Sequence, residues 1–137
     1  MKIVIIDGQG GKIGSLIIEK LIAMSVKAEL TAIGTNSIAT ANMIKAGATQ
    51  GATGENAVVV NSHGADIIAG PIGIIAADSM LGEVTPAMAA AVGASGAKKI
   101  LIPLNLEKCN LFVAGMNAAL SVGDLINIAC EQIKNRE

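Results

Sequence analysis

Ile3-Val4-Ile5-Ile6-Asp7-Gly8-Gln9-Gly10-Gly11-Lys12-Ile13-Gly14 is the stretch that decides the fold of this chain. A continuous apolar run stops at a glycine cluster, and a helical apolar pattern begins directly behind it. Strand, glycine turn, helix is how a doubly wound sheet opens, and the turn is where many such sheets hold a phosphate. An unbroken apolar strand, rather than an alternating one, suits a parallel sheet covered on both faces.

Working outward, the helix behind the turn carries Ile13, Leu16, Ile17, Leu21 and Met24 on one face, with Glu19 and Lys20 towards solvent. A second strand is expected over Ala28 to Ile33, ending at Gly34-Thr35-Asn36. Ser37 is placed to cap a helix that runs to about Ala46, with Gly47 behind it as a helix-ending glycine. Val58-Val59-Val60 and Ile67-Ile68 both look like strands. Only Asn61 to Asp66 separates them, however, and a parallel crossover needs about a dozen residues or more. Topology therefore outweighs the low helix propensity of valine. Ala48 to Thr53 becomes a short third strand, a helix runs from Thr53-Gly54-Glu55-Asn56 to Gly64, and Ala65 to Gly70 is the fourth strand.

Beyond Gly70-Pro71, the apolar segment Ile72 to Leu81 reads as a short helix or an irregular turn. Thr85 caps an Ala-rich helix whose first residue, Pro86, needs no N–H there, and the helix fades at Gly93 to Gly96. Lys99 to Ile102 is the fifth strand and Leu111 to Ala114 a candidate sixth. A long helix from about Asn117 to Gln132 closes the chain. The alternation predicts one α/β domain over residues 1–137, a Rossmann-like doubly wound three-layer sandwich. Its sheet is mainly parallel, in the order 3-2-1-4-5 with the sixth strand added.

Composition narrows the partners. The chain is 52% hydrophobic with a mean hydropathy of +0.60, has 16 glycines, no Trp or Tyr, and Phe112 as its one aromatic residue. So apolar a small protein is expected to cover surface by forming a homo-oligomer. No apolar run approaches the ~20 residues of a membrane span, and the first apolar run is too short for a signal peptide. A cytoplasmic protein with no membrane partner is expected. Net charge is −1, the cations are scattered, and stacking aromatics are missing, which argues against nucleic acid. Cys109 and Cys130 form no CxxC pair and read as reduced thiols in or near a core, not as zinc ligands.

Gly8, Gly11 and Gly14 make a GxxGxxG turn, and Gly8, Gly10 and Gly14 also satisfy GxGxxxG. Glycine permits a tight turn, lets backbone N–H groups approach a phosphate, and lets the helix pack close to the strand. The expected phosphate site is thus Gly8, Gln9, Gly10, Gly11, Lys12, Ile13 and Gly14, with Lys12 adding charge. Two features depart from a dinucleotide site. Asp7 puts a carboxylate beside the phosphate, and no acid ends the second strand, where Thr35, Asn36 and Ser37 stand instead to meet a ribose or a 2′-phosphate. A P-loop is excluded because Ile13 follows Lys12 where a Ser or Thr is required. Gly70, Pro71 and Ile72, with Gly73, should face the glycine turn across the crevice between the first and fourth strands. Asp78, Ser79, Glu83, Thr85 and Asn105 are expected near the same edge. His63, the one histidine, ends the third helix away from it.

Asp7 to Gly14, Ala65 to Ile74, Gly82-Glu83-Val84-Thr85-Pro86-Ala87-Met88-Ala89 and Lys98 to Asn105 together resemble a small uncharacterised bacterial family classed as a domain of unknown function. The resemblance covers nearly the whole chain and implies a compact Rossmann-like protein with no known activity. The opening turn is also loosely similar to NAD(P)-dependent reductases with a GxxGxxG loop, whose added catalytic domain this chain lacks the length to hold.

Three functions follow. The first is a nucleotide- or dinucleotide-binding module, with NAD(P) or another nucleotide as small-molecule ligand. The second is a small enzyme at the crevice between the first and fourth strands, using Asp7, Asp78 or Glu83 as acid or base. The third is a non-catalytic oligomeric subunit that uses Ile72 to Leu81 and the small-residue faces around Ala87 to Ala94 and Ala118 to Ala129.

Overall fold

The computed structural model describes residues 1–116 and 119–137. Among these residues five strands alternate with five helices: β1 (Lys2–Asp7), α1 (Lys12–Ala23), β2 (Glu29–Gly34), α2 (Ser37–Lys45), β3 (Gln50–Thr53), α3 (Glu55–Ser62), β4 (Ile67–Pro71), α4 (Pro86–Ala94), β5 (Lys98–Ile102) and α5 (Val122–Lys134). The strands form one parallel sheet in the order β3-β2-β1-β4-β5, as the sequence predicts.

The core lies in two layers either side of this sheet. Ile3 and Ile5 point to one face and pack with Ile17, Ile18 and Leu21 of α1, Met43 of α2, and Ile126, Cys130 and Ile133 of α5. Val4 and Ile6 point to the other and meet Val58 of α3 and Met88, Ala89 and Val92 of α4. All of β1 from Ile3 to Ile6 is buried on both faces, which is why its sequence shows no alternation. The chain moves one way from β1 to β3 and the other from β4 to β5. The carboxyl ends of β1 and β4 therefore flank the topological switch point.

The three valines of α3 are helical, so the crossover constraint did outweigh propensity, and Val58 alone of them is fully buried. Thr85 caps α4 by accepting the Met88 amide at 3.1 Å. Three expectations need correction. The cap of α2 is Asn36, whose side chain accepts the Ala39 amide at 2.9 Å, and Ser37 is the first helical residue. Leu111 to Ala114 is not a strand: the chain leaves a 3-10 turn (Leu106–Cys109) through left-handed Asn110, and Phe112 is 91% exposed. The last helix starts at Val122, held by a capping box in which Ser121 and Asp124 exchange hydrogen bonds. Of its expected earlier start, Asn117 and Ala118 lie outside the described residues. No helix among the described residues is long and apolar enough to cross a membrane.

Candidate functional site

The turn between β1 and α1 is tied together by its own strand. Asp7, only 4% exposed, accepts the Gly8 amide at 2.7 Å and the Gly14 amide at 2.8 Å, one on each carboxylate oxygen. Burial is the largest influence on this carboxyl and raises its pKa. The amides of Gly14, Gly8 and Ile13 pull it down without offsetting that, and the nearby charge of Glu83 adds to the rise. The Gly11 amide donates to the Gly8 carbonyl at 2.8 Å, and the Gln9 amide donates to Glu83 at 2.9 Å. Among the described residues this leaves the amides of Gly10 and Lys12 without a partner. Both sit at the amino end of the twelve-residue helix α1, where backbone N–H groups point outward and the helix dipole favours an anion.

The glycines divide by what a side chain would meet. Gly11 is left-handed (φ +69°), and a Cβ there would lie 2.7 Å from the Ala39 carbonyl oxygen of α2. At Gly14 it would strike Met43, and at Gly70 it would strike the Ile6 carbonyl of β1. These glycines serve close packing. Gly10 is different: its φ is not left-handed, and a Cβ would meet nothing within 4 Å.

A cavity of about 250 Å³ opens beside the turn. Its near wall is Asp7, Gly8, Gln9, Gly10, Gly11, Lys12 and Ile13. Its far wall is Pro71 at the end of β4, Gly73 in the 3-10 turn Ile72–Ile75, Met80, and then Leu104, Asn105, Lys108 and Cys109 behind β5. Lys12 and Lys108 are exposed cations that both line the cavity. The crevice between β1 and β4 is thus where topology puts it, bounded on its third side by the segment after β5.

A family model described as "Domain of unknown function (DUF3842)" matches residues 2–137. The chain belongs to this family. No curated protein matches it in sequence. A solved structure, the crystal structure of a dodecameric FMN-dependent UbiX-like decarboxylase from Escherichia coli O157:H7, is similar over 99% of this chain and 94% of its own. The two are 16% identical, with a TM-score of 0.49.

Seven of the twelve expected ligand-binding residues of this DUF3842 chain line the cavity: Gly8, Gln9, Gly10, Gly11, Lys12, Ile13 and Pro71. Gly14, Gly70 and Ile72 do not line it. Thr35 and Asn36 do not either, because both are engaged with Glu83. The Thr35 hydroxyl donates to Glu83 at 2.8 Å and the Asn36 amide group donates to the same oxygen at 2.6 Å. Burial opposes ionisation of Glu83, but the Gln9 amide, Asn36 and Thr35 together outweigh it and hold the carboxyl below the usual range.

Of the expected acids and bases, Asp78 is exposed outside the cavity, and both oxygens of Asp7 are committed to amides. His63 follows α3 at the amino edge of β4, and Thr85 caps α4. Among the described residues no three His, Cys, Asp or Glu side chains gather to hold a metal ion. Sequence reasoning missed Met80, Leu104, Lys108 and Cys109. The one signal that pointed to them was the Asn and Asp residues of the irregular segments, which tolerate the left-handed turns found at Asp78, Asn105 and Asn110.

Proposed function

We propose that this chain binds a nucleotide or a similar phosphorylated small molecule, with the phosphate on the Gly8 to Ile13 turn. The supporting observation is the pair of unpartnered amides at Gly10 and Lys12, which line a cavity that also has the Lys12 and Lys108 side chains on its walls. Amides at a helix start plus flanking lysines form an anion site, and charge-assisted bonds to phosphate are the strong kind. The glycine at position 10, which neither φ nor packing requires, leaves the backbone open to close approach. A reaction has less support, since among the described residues the one acid lining the cavity is Asp7, already committed to two amides.

The test is an amide-resolved NMR titration with ribose 5-phosphate and AMP, using ribose and adenosine as controls. Shifts of the Gly10 and Lys12 amides with the phosphates and not with the controls are expected. If neither phosphate moves those two amides, the reading fails. Self-association belongs to the same proposal: Leu81 and Phe112 are 98% and 91% exposed, large apolar side chains that a second subunit would cover. Native mass spectrometry reads the assembly and any co-purified ligand.

A further inference from the structure

We propose that Glu83, reaching over from the loop ahead of α4, is the ribose acceptor that the second strand lacks, so that the site takes a ribonucleotide 5′-phosphate whose 2′-hydroxyl is free. The inference rests on the phosphate reading above and adds the ligand class. In doubly wound sheets that bind dinucleotides, an acid at the end of the second strand accepts the hydroxyls of the adenosine ribose. Here β2 ends in Gly34, followed by Thr35 and Asn36, and its own acid, Glu29, stands at the opposite end. The carboxylate beside Thr35 and Asn36 comes instead from Glu83, 48 residues beyond Thr35. One of its oxygens, Oε1, accepts from the Gln9 amide at 2.9 Å, the Thr35 hydroxyl at 2.8 Å and the Asn36 side chain at 2.6 Å. Among the described residues Oε2 accepts from none, and the side chain is only half-buried.

Three donors on Oε1 hold the carboxylate in one orientation. An ionised carboxylate only accepts, so Oε2 is an open acceptor for a hydroxyl. It also stands next to the phosphate amides. Gln9, whose amide Glu83 accepts, directly precedes Gly10, and a Cβ on Gly8 would lie 3.1 Å from Oε1. A 5′-phosphate on the Gly10 and Lys12 amides carries its ribose one ester oxygen and one methylene away, on the side where Glu83 waits. The loop that delivers Glu83 is itself firmly set. Asp78, Met80, Leu81 and Gly82 are all left-handed, with φ of 66, 56, 58 and 89°. The Asp78 amide donates to the Val84 carbonyl at 2.7 Å, and the buried Ser79 hydroxyl donates to the Gly73 carbonyl at 2.5 Å. A 2′-hydroxyl can donate to Oε2, whereas a 2′-phosphate would bring like charge against it.

The experiment titrates wild type and Glu83→Gln with AMP, 2′-deoxy-AMP and adenosine 2′,5′-bisphosphate, following the Gly10 and Lys12 amides. Wild type is expected to bind AMP about tenfold more tightly than 2′-deoxy-AMP, the order of one hydrogen bond to a charged group. It should also bind AMP more tightly than the bisphosphate. Glu83→Gln keeps an acceptor for the Gln9 amide but loses the charge, and should bind the bisphosphate at least as tightly as AMP. The wild-type arm decides by itself if the variant does not fold. AMP and 2′-deoxy-AMP moving both amides with affinities less than about threefold apart overturn this inference and leave the phosphate site standing. So does a bisphosphate that matches AMP on wild type, or a folded Glu83→Gln that keeps the wild-type preference for AMP. If AMP moves neither amide in wild type, both proposals fall.

Discussion

The Asp7 carboxylate and the Gly14 amide are joined at 2.8 Å across the first strand-to-helix turn, with the Gly8 amide held by the other oxygen. A carboxylate beside a phosphate turn is electrostatically unhelpful if it faces the ligand. Here Asp7 is 4% exposed and both its oxygens are taken by amides of the turn itself.

Replacing Asp7 by Asn should therefore destabilise the protein rather than release a ligand site. Asn offers one acceptor oxygen and turns an NH₂ group against the second amide. A buried donor left facing a donor costs about 1–3 kcal/mol. Urea denaturation of Asp7→Asn at neutral pH is expected to show a loss of that size with an unchanged m-value. A loss below about 0.5 kcal/mol would show that the two bonds do not hold the turn.

Gly10 and Gly11 are adjacent and predict opposite outcomes. Gly10→Asp should leave stability within about 0.5 kcal/mol of wild type, as surface substitutions away from packing usually do. It should abolish the response to ribose 5-phosphate by setting a carboxylate beside the open amides. Gly11→Ala places a Cβ 2.7 Å from the Ala39 carbonyl in a left-handed residue. Strain and overpacking together should cost about 2 kcal/mol or more. Thermal unfolding with and without ribose 5-phosphate separates the two effects. A destabilised Gly10→Asp would mean that the residue serves packing after all.

The order of strands was readable because two constraints converge on it: the glycine turn fixes where β1 ends, and the crossover minimum forces Val58 to Val60 into a helix. The glycine-turn wall of the cavity was readable for the same reason, since period and glycine spacing both locate it. Leu111-Phe112-Val113 misled because β-propensity reports a fit to a pleated, half-buried surface, and here nothing covers Phe112. Thr35 and Asn36 were correctly placed at the end of β2, yet the polar partner they hold is Glu83, 48 and 47 residues away. That pairing depends on a run of left-handed residues with no sequence period. Lys108 and Cys109 were missed on the same grounds, with the left-handed Asn105 and Asn110 beside them as the one signal.

Glu83 also predicts a pH dependence with a definite sign. Its folded pKa lies below the unfolded value, so the folded state binds fewer protons there, and stability rises with pH through that window. The contribution is complete above about pH 4.3 and is lost as pH falls through the depressed value. Glu83→Gln should be less stable than wild type at pH 7, by under ~1 kcal/mol because the group is largely solvated. The gap should close as pH drops towards 3. Urea midpoints for the two proteins across pH 3 to 7 provide the measurement. A gap that stayed constant would mean that the charge of Glu83 contributes nothing.

The two cysteines give a last, inexpensive probe of the cavity. Cys130 is fully buried, its Sγ 3.8 Å from the Ile17 carbonyl, and burial pushes its thiol up to about 11 against a small opposing pull from Lys20. At pH 8 roughly one molecule in a thousand then carries a Cys130 thiolate, and the thiolate is the reactive form. Cys109 is half-buried and lines the cavity wall opposite the glycine turn. Ellman's reagent should therefore titrate one thiol in the native protein and two in denaturant, with Cys109→Ser removing the native signal. Saturating ribose 5-phosphate should slow the native reaction, since the bound phosphate and the thiol share one cavity. An unchanged rate at saturation would place the ligand away from the Lys108-Cys109 wall, and the cavity would lose its claim to be the binding site.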